Sequence, residues 1–315
     1  MIIRSMHRIL HCCTAAVCVI LLSCCSKQEL SAKKSNSKSG FSAYTGTVVF
    51  RLAEQAPENH PSAIASSYFA NLVTERTKGK IRIKVYYSGK LGNTQEVFDQ
   101  LKFGGIALGR VSFAELTEAV PSLQSSARQV IRGPYNCRKW IMENREKIMF
   151  DCQTEKIYPL AVFYPEIRCF YADSPKYQLR THNDLADIRI GIIASKLLKA
   201  VLKQYNAIPV DIVTEDTYLS MHNGYMNVRE SELSDFILSN DYRFIQYVTL
   251  STYISSPGMI IMSSEAANDI SVEQRKIITD CARRAAEYQR TVLENFYAAN
   301  IPMMRKTKTV LQGAL

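Results

Sequence analysis

The stretch Ser271–Asn300, SVEQRKIITDCARRAAEYQRTVLENFYAAN, decides how the rest of the chain is read. Ser271 and Gln274 have the spacing of a capping box, and neither glycine nor proline follows until Pro302. The segment reads as one helix. Ile278, Cys281, Ala282, Ala285, Val292, Phe296 and Ala299 recur at helical spacing, a stripe that must lie against something. At 1.5 Å per residue such a helix is about 45 Å long, more than one small domain covers, so its natural use is to brace two lobes. An ordinary C-terminal amphipathic helix is the alternative reading.

Working back from this helix, the chain alternates strands and helices. Thr47–Ala53 is β-rich, Ser62–Thr77 has helical spacing and Ile81–Tyr87 alternates strictly. Thr94–Lys102 is a second helix and Ile106–Ser112 a short apolar strand, an order that predicts a parallel sheet with right-handed crossovers. Ser126–Thr154 is mixed helical. Tyr158–Phe163 and Arg168–Ala172 are strands leading into a second unit: strand Ile188–Ala194, helix Lys196–Tyr205, strand Pro209–Val213 and helix Glu215–Asn223. Strands at Phe244–Thr252 and Gly258–Met262 return toward the first unit. The predicted fold is α/β, two lobes with a ligand cleft between them: residues 46–165 plus 254–270 in lobe I, 166–253 in lobe II, 271–300 as the brace and 301–315 as a tail.

The 315 residues, 47% hydrophobic and 22% charged, suffice for two cores and exclude a disordered chain. Residues 1–23 carry Arg4 and Arg8, then an apolar run Ile9–Leu22 too short to span a bilayer, then Leu21-Leu22-Ser23-Cys24. This is a secretory signal with a lipobox, which predicts a lipid on Cys24 and a periplasmic protein held to a membrane by that anchor; a plain signal peptide cut nearby is the alternative. Residues 24–45 are a serine- and lysine-rich tether. Loss of Arg4 and Arg8 takes the net charge from +10 to +8, and no basic stripe interleaved with aromatics points to nucleic acid.

Five of the nine cysteines lie between Cys12 and Cys25, which leaves Cys137, Cys152, Cys169 and Cys281 with pairing open. His60, His182 and His222 do not have metal-ligand spacing, and no cofactor is implied. No Gly-x-Ser-x-Gly elbow, P-loop or His-Glu-x-x-His occurs, and Gly104-Gly105-Ile106-Ala107-Leu108-Gly109 has the wrong spacing for a dinucleotide fingerprint. The chain does not read as an enzyme.

From Leu52 the run LAEQAPENHPSAIASSYFANLVTERTKGKIRIKVYYSGKLGN resembles the amino-terminal half of solute-binding proteins of tripartite ATP-independent periplasmic (TRAP) transporters, the DctP type. The Thr77-Lys78-Gly79 turn and the Ser88-Gly89-Lys90-Leu91-Gly92 loop come in that family's order. The resemblance continues through FYPEIRCFYADSPKYQLRTHNDLADIRIG, TEDTYLSMHNGYMNVRESE and Ala282–Arg290, nearly all of the mature chain. It implies a receptor that closes over a small solute and delivers it to a membrane permease, in some systems with a tetratricopeptide-repeat helper lipoprotein. An interaction protein that keeps the fold and docks a partner is the second reading.

The resemblance also implies a site. Family members that take carboxylates clamp them with a strand arginine, whose place here is Gly191, with Arg189 in the position of the preceding lysine; a slip of two residues would restore the clamp as Arg189. A second family arginine is retained as Arg168. By position, ligand contacts fall to Gln55, Thr94, Ser112, Arg168, Gly191, Ala194, Thr214 and Ser231. A missing clamp beside Ile190, Ile192 and Ile193 predicts an apolar or monoanionic solute and no binding of C4-dicarboxylates.

Overall fold

The computed structural model describes residues 46–125, 136–213, 216–251, 254–306 and 310–312. The leader, Cys24, the tether and Thr214 lie outside them. No helix among the described residues is long and apolar enough to cross a membrane.

The first sheet has the order β2-β1-β3-β10-β4. β1 (Val48–Glu54) runs parallel to β2 (Ile81–Tyr86) and β3 (Leu108–Ser112), while β10 (Gly258–Ser263) lies antiparallel between β3 and β4 (Ile157–Val162). The expected wholly parallel sheet is therefore mixed. The chain comes back from the second lobe to supply β10, and a returning strand is free of the crossover that parallel pairing needs.

The helices of this lobe start on local signals. α1 (Pro61–Arg76) opens with proline at a position whose N–H would have no helical partner, and His60 Nδ1 accepts the Ser62 amide. α2 (Thr94–Lys102) has the Asn93/Glu96 capping box. α3 (Phe113–Ala119), which sequence reading missed, has the same device in Ser112 and Glu115. Ser112 leaves an apolar strand without a break, so strand and helix read as one hydrophobic run. α4 (Asn136–Glu143) and α5 (Arg145–Thr154) follow.

The second sheet has the order β11-β9-β5-β8-β6-β7. Its strands are β5 (Arg168–Ala172), β6 (Arg189–Ile192), β7 (Ile208–Asp211), β8 (Val228–Glu232), β9 (Tyr247–Ser251) and β11 (Val310–Gln312). α6 (Lys196–Lys203), α7 (Thr217–His222) and α8 (Leu233–Leu238) accompany them. β8, sequence VRESE, was not predicted; a central strand with four polar side chains carries no hydrophobic period.

After the short α9 (Ser264–Asn268), α10 runs from Val272 to Lys306, past Asn300, where the sequence reading ended it, and through Pro302. Its capping box is present: the Gln274 amide donates to Ser271 Oγ at 3.1 Å, and the Ser271 amide donates to Gln274 Oε1 at 2.9 Å. Ile278, Cys281, Ala282, Ala285 and Ala286 pack with Phe69 and Val73 of α1 in the first lobe's core. Leu293, Tyr297 and Met304 pack with Cys169, Phe236 and Val248 of the second. The stripe thus continues through Leu293 and Tyr297, while Val292 and Phe296 are half-buried and Ala299 exposed. The four cysteines among the described residues are free and buried, and burial pushes the thiols of Cys137 and Cys152 up to about 12.

Candidate functional site

A cavity of about 540 Å³ lies between the two sheets, at the ends of their strands. The first lobe contributes residues just past β1, β2 and β3; the second contributes the start of β5, the end of β8 and Ile193–Ser195 after β6. Of the residues expected to touch ligand, Gln55, Ser112, Arg168, Ala194 and Ser231 line it.

Thr94 and Gly191 do not line it. The Thr94 hydroxyl is turned to Glu115 Oε1, 2.9 Å away, because the α3 capping box brings that carboxylate alongside. A Cβ added at Gly191 would overlap Met226 Sδ and lie 3.1 Å from Ile212 Cδ1. The space a clamp side chain would start from is filled by these two residues. Arg189 does not restore the clamp: it is exposed, and its Nη2 donates to the Gly224 carbonyl at 2.6 Å on the far side of the loop after α7.

The arginines that do reach the cavity are already engaged. Arg168 forks onto Glu230, Nε to Oε1 at 2.5 Å and Nη2 to Oε2 at 2.8 Å, with Nη1 3.5 Å from Glu232. Arg110 places Nε and Nη2 on Glu54 Oε1, at 2.8 and 2.5 Å. Burial works to lower the Arg110 pKa, but the Glu54 carboxylate beside it outweighs burial and holds it above the ordinary arginine value. Glu54 is itself buried and accepts the Ser66 hydroxyl at 2.8 Å through Oε2.

Sequence reading missed a group at the back of the cleft. His60, at the start of α1, meets Ser234 of α8 across the lobe boundary, Nε2 to Oγ at 3.0 Å. Glu166, on the segment that crosses between lobes, accepts hydrogen bonds from Ser234 and, at 2.8 Å, from Ser62. One ligand atom each from His60, Glu166 and Glu232 fall within 4.8 Å of one another, close enough to hold a metal ion. The hydrogen bonds argue against that role, since Nδ1 accepts the Ser62 amide and Nε2 is then the protonated nitrogen, with no lone pair to give.

Glu232 and Asp235 complete this wall. Burial comes first in raising the Glu232 carboxyl above the usual range, and repulsion from Glu166 and Asp235 adds to it. Burial likewise raises Asp235, offset in part by His60. No local motif marks these residues. Their signal lies in the acids of Val228–Asp235, which have no intervening base except Arg229.

Residues 52–312 match the family of bacterial extracellular solute-binding proteins, family 7, DctP. The chain is 22% identical to the C4-dicarboxylate-binding protein DctB of Bacillus subtilis strain 168 over 84% of its own length and 75% of the relative's. Among solved structures, it shares its fold with a TRAP periplasmic solute-binding protein from Sulfitobacter sp. NAS-14.1 with bound β-D-galacturonate, at a TM-score of 0.75 and 18% identity, covering 84% of this chain and 89% of that one. A second such protein, from Pseudomonas putida F1 with bound D-glucuronate, gives a TM-score of 0.74 at 19% identity, covering 84% and 87%. With the family match spanning most of its length, the chain belongs to the bacterial extracellular solute-binding proteins of family 7, DctP, a family of binding receptors and not of enzymes.

Proposed function

We propose that this receptor encloses a small polar solute bearing several hydroxyl groups and delivers it to the membrane permease of a TRAP-type secondary transporter. The observation that carries the reading is the cavity itself, of a size typical for small-molecule sites and lined from both lobes. Its surface offers Gln55, Asn59 and the hydroxyls of Ser88, Ser112, Ser195 and Ser231, with Ile193, Leu198 and Ile254 as apolar patches. That lining speaks against the apolar solute expected from the missing clamp: Gln55, Ser112, Ser195 and Ser231 each have a partner in the protein but keep spare hydrogen-bonding capacity, which an apolar ligand would cover along with Asn59 and Ser88. The galacturonate and glucuronate held by the related structures are hydroxylated rings of suitable size. Thermal-shift titration with sugars, sugar acids and amino sugars tests the reading. At least one is expected to raise the melting temperature and to compact the protein in small-angle scattering; a panel without effect overturns it.

The lipobox supports a lipid anchor on Cys24 as part of this proposal. Cys24→Ala is expected to move the protein from the membrane to the soluble fraction of its cells, and a wild-type protein already soluble there would sink the anchor.

A further inference from the structure

The charges around the cleft do not balance. Glu115, Glu230, Glu232 and Asp235 line the cavity, and the carboxylates of Glu54 and Glu166 stand directly behind its surface. Against these the lining supplies two guanidinium groups and one imidazole, Arg110, Arg168 and His60. Glu54 and Glu230, whose side chains are almost wholly buried, occupy the two arginines. An incoming carboxylate would meet guanidinium groups whose charge Glu54 and Glu230 already balance, and position 191 offers no other donor. The internal acids therefore oppose an anionic solute twice, by balancing the arginines and by repelling the charge.

For a cation the same arrangement is favourable. Glu232 ends β8 and Asp235 follows in the first turn of α8, so both are fixed by secondary structure on the cavity wall. Each has one long ion pair and no fork: Glu232 Oε1 is 3.5 Å from Nη1 of Arg168, whose other nitrogens hold Glu230, and Asp235 Oδ1 is 3.6 Å from His60 Nε2, whose proton faces Ser234. We propose that the solute carries a cationic group, an ammonium or amidinium, that lies against Glu232 and Asp235. An ammonium brings three N–H donors and no acceptor, which suits two carboxylates that each have lone pairs left over from one long contact. Burial first, and then repulsion from Glu166, raises both carboxyls despite Arg168 and Arg110, and a cation laid against the pair would offset that cost. The groups facing the pair are Glu166, which repels both, Arg168 and Arg110, which attract both, and His60, which attracts Asp235, with Glu230 held beyond Arg168.

The inference rests on the receptor reading, and the probes separate the two. D-galactosamine, D-galactose and D-galacturonate share one ring and differ in charge; 1,4-diaminobutane adds a cation without the ring. Calorimetry on the whole protein at neutral pH is expected to give tighter binding for a cationic probe than for galactose, with galacturonate weakest. In Glu232→Gln with Asp235→Asn the cationic probe should lose about a hundredfold in affinity and galacturonate should gain, a crossing pattern that loss of fold cannot produce. Galacturonate binding more tightly than both cationic probes overturns the cationic solute and leaves the receptor reading standing. Silence from all four probes, together with no small molecule released on denaturing protein purified from its own cells, ends both.

Discussion

At the scale of single residues, Arg229 is the largest side chain among the described residues that is both buried and short of hydrogen-bond partners. It is 1% exposed, and its Nε and Nη1 have no hydrogen-bond partner among the described residues. It pairs in register with Gly191 on β6 and Tyr171 on β5, among the apolar residues under α8 and α10. Each unmet buried N–H costs about 1–3 kcal/mol, and the neighbouring Asp241 already accepts the Tyr171 hydroxyl. Arg229→Met is therefore expected to raise the unfolding free energy by about 1–3 kcal/mol in urea denaturation; a loss of that size would mean the guanidinium holds the lobe together. The acids of the cleft give a second expectation. The folded carboxyls of Glu232 and Asp235 titrate above their unfolded values, so the folded state holds more protons than the unfolded one between the two. Their contribution is present below about pH 4 and is lost as pH rises through the raised folded values. Melting temperature against pH should fall in that window for the unliganded protein, and Glu232→Gln with Asp235→Asn should flatten the slope. Gln55, Ser112, Arg168 and Ser231 were legible in the sequence because they sit at positions the family pattern marks. His60, Glu166 and Asp235 were not. They are apart in sequence, and only the crossing between lobes brings residue 60 to residue 234.

At the scale of elements, α10 holds the hinge as well as the cores. Gln289 is fully buried; its Oε1 accepts the Tyr164 amide at 3.0 Å and its Nε2 donates to the Tyr164 carbonyl at 3.4 Å. Tyr297 accepts the Ile167 amide at 3.2 Å, so the segment between β4 and β5 is fastened to the helix at both ends. Gln289→Leu keeps the packing and leaves two backbone groups unpaired, an expected loss of about 2–4 kcal/mol that denaturation can measure; a neutral result would show that water replaces the amide. The helix itself was legible from its capping box and long period. Its exact face was not. Near Gln289 the buried stripe includes a polar residue that a hydrophobicity pattern passes over. β8 was missed for the same reason, since its side chains are polar where they meet the cleft and each other.

At the scale of the whole molecule, the lobes meet through a helix end as well as at the back of the cleft. Glu118 of α3, in the first lobe, accepts the Lys196 amide at 2.8 Å and the Leu197 amide at 3.4 Å at the start of α6 in the second. A carboxylate at a helix N-terminus is favoured by the orphan N–H groups and the local dipole there, here across the lobe boundary. Glu118→Ala should shift the unliganded protein toward an open form by about 1–2 kcal/mol, seen as a larger radius of gyration and roughly tenfold weaker solute binding. An unchanged radius would place the closing force elsewhere. The strand order carries a different consequence, for the time at which the protein is made. β5 to β9 span residues 168–251 and form five neighbouring strands of one sheet, whereas the first sheet waits for β10, inserted between β3 and β4. A chain released amino-terminus first therefore has five strands of its second sheet while the first, though older, still lacks a central strand. A chain ending near residue 255 would leave β3 and β4 with an unfilled gap between them, and both lobes would still lack the face of α10.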